Sequence, residues 1–358
     1  MKNHRLYQLL LIGLLGVSIS APLLAGADTT TFPEGTWRTA APDVSQWSAE
    51  TLKQADAIAH SIGTDAYLVV HHGVIVHQYG PTNRPMNLYS VRKSVLSVLY
   101  GIGVDRQAVD LNKTLAELAI DDKSTLTEAE KTATVRQLLQ ARSGVYHPAA
   151  YETAAMKDMR PLRGSHAPGS FWYYNNWDFN VLGAIYQKFT SKDVFSALND
   201  ELAQPLQFED FDKARDTEFV YEYSTRYPAY VMKLSARDLA RIGLLMAREG
   251  KWKDRQIVSK QWVDESTSAY SNVNPNVGYG YLWWVRLKGS HIGQTIPTPV
   301  FLASGNHSQY LIVNRQRDLV IVHRVNASLA SMLFQTQPTN DQFNQLVEKI
   351  LTAAPKEL

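Results

Sequence analysis

Two kinds of apolar pattern divide this chain. Short unbroken apolar runs stand near its two ends, and longer helical stretches fill the middle. Ser48 followed by Ala49 to about Ile62, with Glu50 in the first turn, predicts a capped helix. Ala66 to Tyr79 predicts a hairpin: Tyr67-Leu68-Val69-Val70, a turn at His72-Gly73, then Val74-Ile75-Val76. The run Val95-Leu96-Ser97-Val98-Leu99-Tyr100 is apolar enough for a buried helix. Thr134 caps a helix from Val135 to Ala141 that stops near Ser143-Gly144, and Phe179 to Phe189 is another helical run. Ser235-Ala236-Arg237-Asp238 reads as a capping box opening a helix whose apolar face includes Leu239, Ile242 and Leu245. Ser259 caps a shorter helix through Trp262. Strands return at Tyr281 to Val285, Gln309 to Val313 and Leu319 to His323, before a final helix over about Asp341 to Leu351.

Strands at both ends with helices between predict an α+β fold. Its simplest form is one antiparallel sheet assembled from both termini, with a helix on each face. The inserted middle, about residues 104–235, then forms an all-helical lobe, and a cleft lies between sheet and lobe. Residues 48–358 form a single domain in this reading. Residues 28–47, with several Thr and Pro, run extended over the surface.

The first residues change the picture of where the chain works. Lys2 and Arg5 form a basic region, Leu9 to Ser18 an apolar one, and Ala25-Gly26-Ala27 a small-residue cleavage site. Residues 1–27 are therefore expected to be a cleavable signal peptide, with a membrane anchor as the alternative, and the mature protein to be periplasmic or secreted. Without them the chain carries 34 basic against 34 acidic residues. No basic block points to nucleic acid. The absence of cysteine removes disulfides, thiol catalysis and cysteine-ligated zinc. Nothing implies a metal or an organic cofactor.

The candidate chemistry centres on Ser90-Val91-Arg92-Lys93. A helix brings positions i and i+3 to one face, so a hydroxyl and an amine stand one turn apart. After Lys93 nothing charged follows until Asp105, which places the amine at the mouth of an apolar segment. Desolvation there lowers its pKa and suits it to act as a base. The plain alternative is that Ser90 is only an N-cap and Lys93 a surface cation.

Further fragments stand in a fixed order downstream. They are Pro168-Gly169-Ser170-Phe171-Trp172-Tyr173-Tyr174-Asn175-Asn176, Asn180-Val181-Leu182-Gly183, and Ala303-Ser304-Gly305-Asn306-His307. With Tyr89-Ser90-Val91-Arg92-Lys93-Ser94 they resemble the serine β-lactamase and penicillin-binding-protein superfamily. The chain is most similar to its class C branch, which includes esterases, D-aminopeptidases and 6-aminohexanoate-oligomer hydrolases. That resemblance implies the β-lactamase/DD-peptidase fold and an acyl-enzyme on Ser90. It gives Lys93 and Tyr174 the proton work, without settling which accepts the serine proton. A tyrosine beside a lysine ammonium is expected to have a lowered pKa. Asn176 would orient Lys93 or a substrate amide, and the N–H groups of Ser90 and Asn306 would form the oxyanion hole. Gly305 would let the strand approach the substrate. Tyr173 with Asn175 also fits the second motif, but the flanking spacing favours Tyr174 with Asn176. The third motif departs from the family's Lys-Thr/Ser-Gly: Ala303 stands at the lysine, which in the family helps hold a substrate carboxylate.

The expected partner is a small-molecule ester or amide. A β-lactamase or D-alanyl carboxypeptidase is the alternative within the family, and a non-catalytic binding protein on the same fold the alternative outside catalysis. His307, beside the oxyanion strand, is a candidate for substrate contact, and Trp177 and Asp178 are further pocket candidates. His71 and His77 lie too far apart to share a metal and read as surface residues. His147 and His166 read as solvated loop residues. Trp252, Trp283 and Trp284 fit either core or interface, and oligomeric state stays open.

Overall fold

The strands that pair at the centre of the fold are the two with no polar alternation. Strand β1 (Ala66–His71) and the last strand, β13 (Leu319–Arg324), are buried along their whole length, as expected of strands covered on both faces. They lie antiparallel, from Ala66 against Arg324 to His71 against Leu319. β2 (Val74–Tyr79) flanks β1. On the other side follow β12 (Gln309–Asn314), β11 (Val300–Gly305), β10 (Trp284–Arg286), β9 (Val277–Tyr279) and β8 (Ser271–Asn274), giving the order β2-β1-β13-β12-β11-β10-β9-β8. The sheet is thus built from both ends of the chain.

The computed structural model describes residues 31–40, 45–287, 300–327 and 338–355. All fall within one compact unit, Thr31–Leu358. The signal-peptide reading of residues 1–27 lies outside the described residues.

Alternate residues of the central strands face different layers, as the two-residue strand period requires. Tyr67, Val69, Leu302, Ile312 and Ile321 pack against helix α1 (Ala49–Ser61) and the last helix, α10 (Asn340–Thr352). Leu68, Val70, Ala303, Leu311 and Val320 belong to the larger core, which holds α2 (Val91–Asp105) and α8 (Ala236–Ala247). α8 sits close to the sheet because Gly243 has no side chain. A Cβ there would lie 2.5 Å from a Val320 methyl and 2.8 Å from one of Leu311.

Between α2 and α8 the lobe carries α3 (Val135–Leu139), α4 (Ala154–Asp158), α5 (Asn176–Thr190), α6 (Val194–Ala197) and α7 (Lys213–Asp216). It also carries a hairpin that the sequence reading did not include. β4 (Thr217–Val220) and the apolar β5 (Ala229–Leu234) pair, and β5 also pairs with β3 (Met86–Asn87) just before Ser90. A short hairpin of β6 (Lys251–Trp252) and β7 (Arg255–Gln256) precedes α9 (Lys260–Ser266).

Thr134 and Thr339 cap their helices with full capping boxes. Ser235 accepts from Asp238 N at 3.0 Å, but the reciprocal bond is missing: the Asp238 carboxylate accepts from Glu209 N and Asp210 N instead. The strand expected from Tyr281 starts only at Trp284. Tyr281 N donates to Ser266 O and Leu282 N to Leu139 O, so these residues are tied to neighbouring helices. No helix among the described residues is long and apolar enough to cross a membrane.

Candidate active site

Ser90 stands at the turn that opens α2, held by a strained backbone. Tyr89 has a positive φ of 46°, an uncommon region for a bulky residue. Asn87 Oδ1 accepts Tyr89 N at 2.8 Å, and Tyr89 O accepts from Arg92 Nη1 at 2.9 Å. Ser90 makes no side-chain cap bond to its own helix. Its hydroxyl points elsewhere, which sets aside the reading of Ser90 as a plain N-cap.

One turn on, Lys93 is buried. Its Nζ lies 2.8 Å from Ser90 Oγ and 2.8 Å from Tyr174 Oη. It also sits 4.6 Å from the centre of the Tyr174 ring and 4.8 Å from that of Phe179. No carboxylate among the described residues pairs with it. Burial, and secondarily the Arg92 charge, hold its pKa well below the ordinary 10.5. The Tyr174 phenol moves opposite to the sequence expectation. Burial pushes it up to about 12, and the Ser90 hydrogen bond and Arg92 offset this only in part. A neighbouring amine that is itself losing its charge cannot stabilise a phenolate. Tyr173 lies outside this cluster, donating to Met156 O at 2.9 Å, so it is Tyr174 and not Tyr173 that stands beside Lys93.

The end of β11 closes the other side. Gly305 is required there: a Cβ would stand 2.6 Å from Leu88 O and 3.1 Å from Ser90 N. The N–H groups of Ser90 and Asn306 bond to no described residue. His307 and Ser308 continue the turn with positive φ of 58° and 54°, and the His307 ring packs 4.6 Å from that of Tyr89. These groups line a cleft of about 830 Å³ together with Tyr174, Asn176, Tyr151, Trp284 and Glu222. Asn176 does not bond to Lys93. Its Nδ2 donates to Tyr151 O at 2.9 Å, and its buried Oδ1 has no partner, which leaves an acceptor for a substrate N–H or O–H.

The remaining candidates sit elsewhere. Trp177 and Asp178 are fully buried away from the cleft: Trp177 Nε1 donates to Asp122, and Asp178 accepts from Ser143 and Asn175. His71 is buried and its Nδ1 accepts from Trp47 Nε1. His77 pairs with Asp56 at 2.8 Å. His147 is buried 3.4 Å from Glu130; neither it nor His71 is a surface residue. His166 stacks on Phe171. Trp252 and Trp283 are core, while Trp284 stacks on Tyr174 at 5.5 Å and faces the cleft. Sequence reasoning missed Arg92, Tyr151, Trp284 and Glu222. Arg92 alone gave a signal, by its place inside the Ser90 motif.

The Beta-lactamase family profile matches residues 48–342, most of the chain. The chain belongs to the Beta-lactamase family. Membership makes it a serine hydrolase by class, and similar folds carry varied names. A candidate 6-aminohexanoate-dimer hydrolase from Bacillus anthracis superposes with a TM-score of 0.64 at 19% identity, covering 91% of this chain and 89% of its own. A penicillin-binding-protein homolog from Caulobacter crescentus gives 0.62 at 15%, covering 85% and 97%. EstCE1, a hydrolase with promiscuous acyltransferase activity, gives 0.60 at 14%, covering 85% and 98%. At these identities the likeness shows a shared Beta-lactamase-type fold.

Proposed function

We propose that this chain is an exported hydrolase that cleaves a small ester or amide through an acyl-enzyme on Ser90. The observation that carries the reading is the contact of one buried amine with both the Ser90 and Tyr174 hydroxyls. As the Ser90 oxygen bonds to the substrate carbonyl, its proton passes to the neutral Lys93 amine. Tyr174 gives its own proton to the leaving oxygen or nitrogen and recovers one from Lys93. Water then attacks the acyl-enzyme by the reverse relay and restores Ser90. The N–H groups of Ser90 and Asn306 stabilise the carbonyl oxygen as it gains charge. Asn176 Oδ1 and His307 contact the substrate on either side. Export rests on the basic, apolar and small-residue segments of the first 27 residues.

Steady-state turnover of a 4-nitrophenyl ester, an aminohexanoate amide and a chromogenic cephalosporin tests the substrate class. Ester or amide turnover well above cephalosporin turnover is expected. The reverse order assigns the chain to β-lactam hydrolysis, and no turnover of any of them by a folded protein refutes the proposal.

A further inference from the structure

A second pocket, of about 330 Å³, adjoins the cleft and shares Trp284, Ser304, Tyr310 and Asn340 with it. Arg286, on β10, lines this pocket. It is half-buried, its buried Nε has no partner, and it forms no ion pair among the described residues. A partly desolvated charge without a counter-ion favours an anion beside it, and no acidic side chain lines the pocket. The rest of the wall is mixed: Val277, Leu302 and Phe343 are apolar, and Ser304, Tyr310, Asn274, Asn340 and Asn344 are polar. Tyr310 Oη donates to Asn340 Oδ1 at 3.0 Å, which leaves the Asn340 amine free to donate. Asn340 opens the first turn of α10, which also carries Asp341, and Asn344 follows it.

The strand register separates this place from position 303. Ser304 pairs with Tyr310, and Arg286 with Val300, on the face toward α10. Ala303 points to the opposite core.

We propose that the Arg286 pocket binds a carboxylate of the substrate, so that the enzyme prefers esters or amides that carry an anionic group within reach of Ser304. The preference rests on the Ser90 reading; the binding does not. A guanidinium with hydroxyl and amide donors offers charge-assisted hydrogen bonds to a carboxylate. This supplies from β10 the cation that position 303 lacks.

Two measurements on the full chain test it. The first is thermal stabilisation by glutarate, free of any chemistry. Wild type and Ser90→Ala should both gain stability with added glutarate, and Arg286→Gln should not. The second compares 4-nitrophenyl pentanoate with mono-4-nitrophenyl glutarate, and phenyl acetate with its 4-carboxylated counterpart. In at least one pair wild type should favour the carboxylated member. Arg286→Gln should lower kcat/KM for that member roughly tenfold or more and leave the neutral one within about twofold. Arg286→Lys should recover part of the loss. The melting temperature of Arg286→Gln without ligand should not fall, since an unpaired, partly desolvated charge is removed. Absence of the glutarate shift in wild type, or equal losses on both members of each pair, overturns the proposal. A glutarate shift with no ester turnover refutes the Ser90 mechanism and supports the subsite.

Discussion

Replacing Lys93 by Met separates the chemical role of the amine from its structural one. Met keeps the length and apolar stem of lysine and removes the nitrogen that touches both hydroxyls. Among the described residues the other group that bonds to Ser90 is the Tyr174 phenol, which burial pushes up to about 12, so the variant leaves the serine proton without a ready acceptor. Acid–base participation of this kind is worth roughly 10²–10⁴-fold, or about 3–5 kcal/mol of barrier. Stability should respond differently. Two hydrogen bonds of about 1 kcal/mol each are lost, but Ser90 and Tyr174 can still bond to each other, and the cost of burying the amine disappears. The pH dependence gives the sign. Burial holds the Lys93 pKa below 10.5, so between the two values the unfolded chain binds a proton that the folded chain does not. Wild-type stability contributed by this group is full above 10.5 and is lost as pH falls toward the folded pKa. Lys93→Met has no such loss, so its stability relative to wild type declines as pH rises toward 10.5. The assays are kcat/KM on a 4-nitrophenyl ester across pH and thermal melts of both proteins. Wild-type kcat/KM should rise along an acid limb set by Lys93, and the variant should fall by about three orders of magnitude. Activity within tenfold of wild type would refute Lys93 as the base, as would a relative stability that climbs with pH.

Three further perturbations follow from the same geometry. Tyr174→Phe should lower kcat/KM on amides about 10²-fold or more; because the phenol titrates only near 12, the shape of the pH profile should not change over the ordinary assay range, and a lost or shifted limb there contradicts the assignment. Gly305→Ala, whose Cβ would meet Leu88 O at 2.6 Å, should displace the strand from Ser90 and cost about 10²-fold in kcat, with KM moving less; full activity would show that the strand end is not part of the site. Asp178→Asn bears on stability alone. Burial raises the Asp178 pKa well above 3.8, so its contribution is full below that value and is lost as pH rises through the folded pKa; melts should show the variant gaining on wild type toward alkaline pH, and a constant difference would contradict this.

What the sequence disclosed was what local pattern can carry. Ser90, Lys93 and Tyr174 were legible because the first two share a helical turn and the third follows a Pro-Gly loop at family spacing. β1, β12 and β13 were legible because they are nearly unbroken apolar runs. β8 was not, since Ser271–Asn274 is polar at a sheet edge and takes its conformation from pairing with β9. Trp284 reaches the cleft, and Arg286 the pocket beside it, only because β10 lies beside β11, a neighbourhood with no sequence signal. His147 looked like a loop histidine and is buried against Glu130, brought there by tertiary packing. The Tyr174 pKa failed in sign because the sequence showed the neighbouring amine and not the burial that acts on both groups.

The central claim is that Ser90 forms the covalent intermediate. Intact-mass spectrometry of the protein with a fluorophosphonate and with a slowly hydrolysed ester, followed by peptide mapping, tests it most directly. The account predicts one adduct per chain on the peptide containing Ser90 and none in Ser90→Ala. An adduct that persists in Ser90→Ala, or ester turnover by that variant at the wild-type rate, would contradict it.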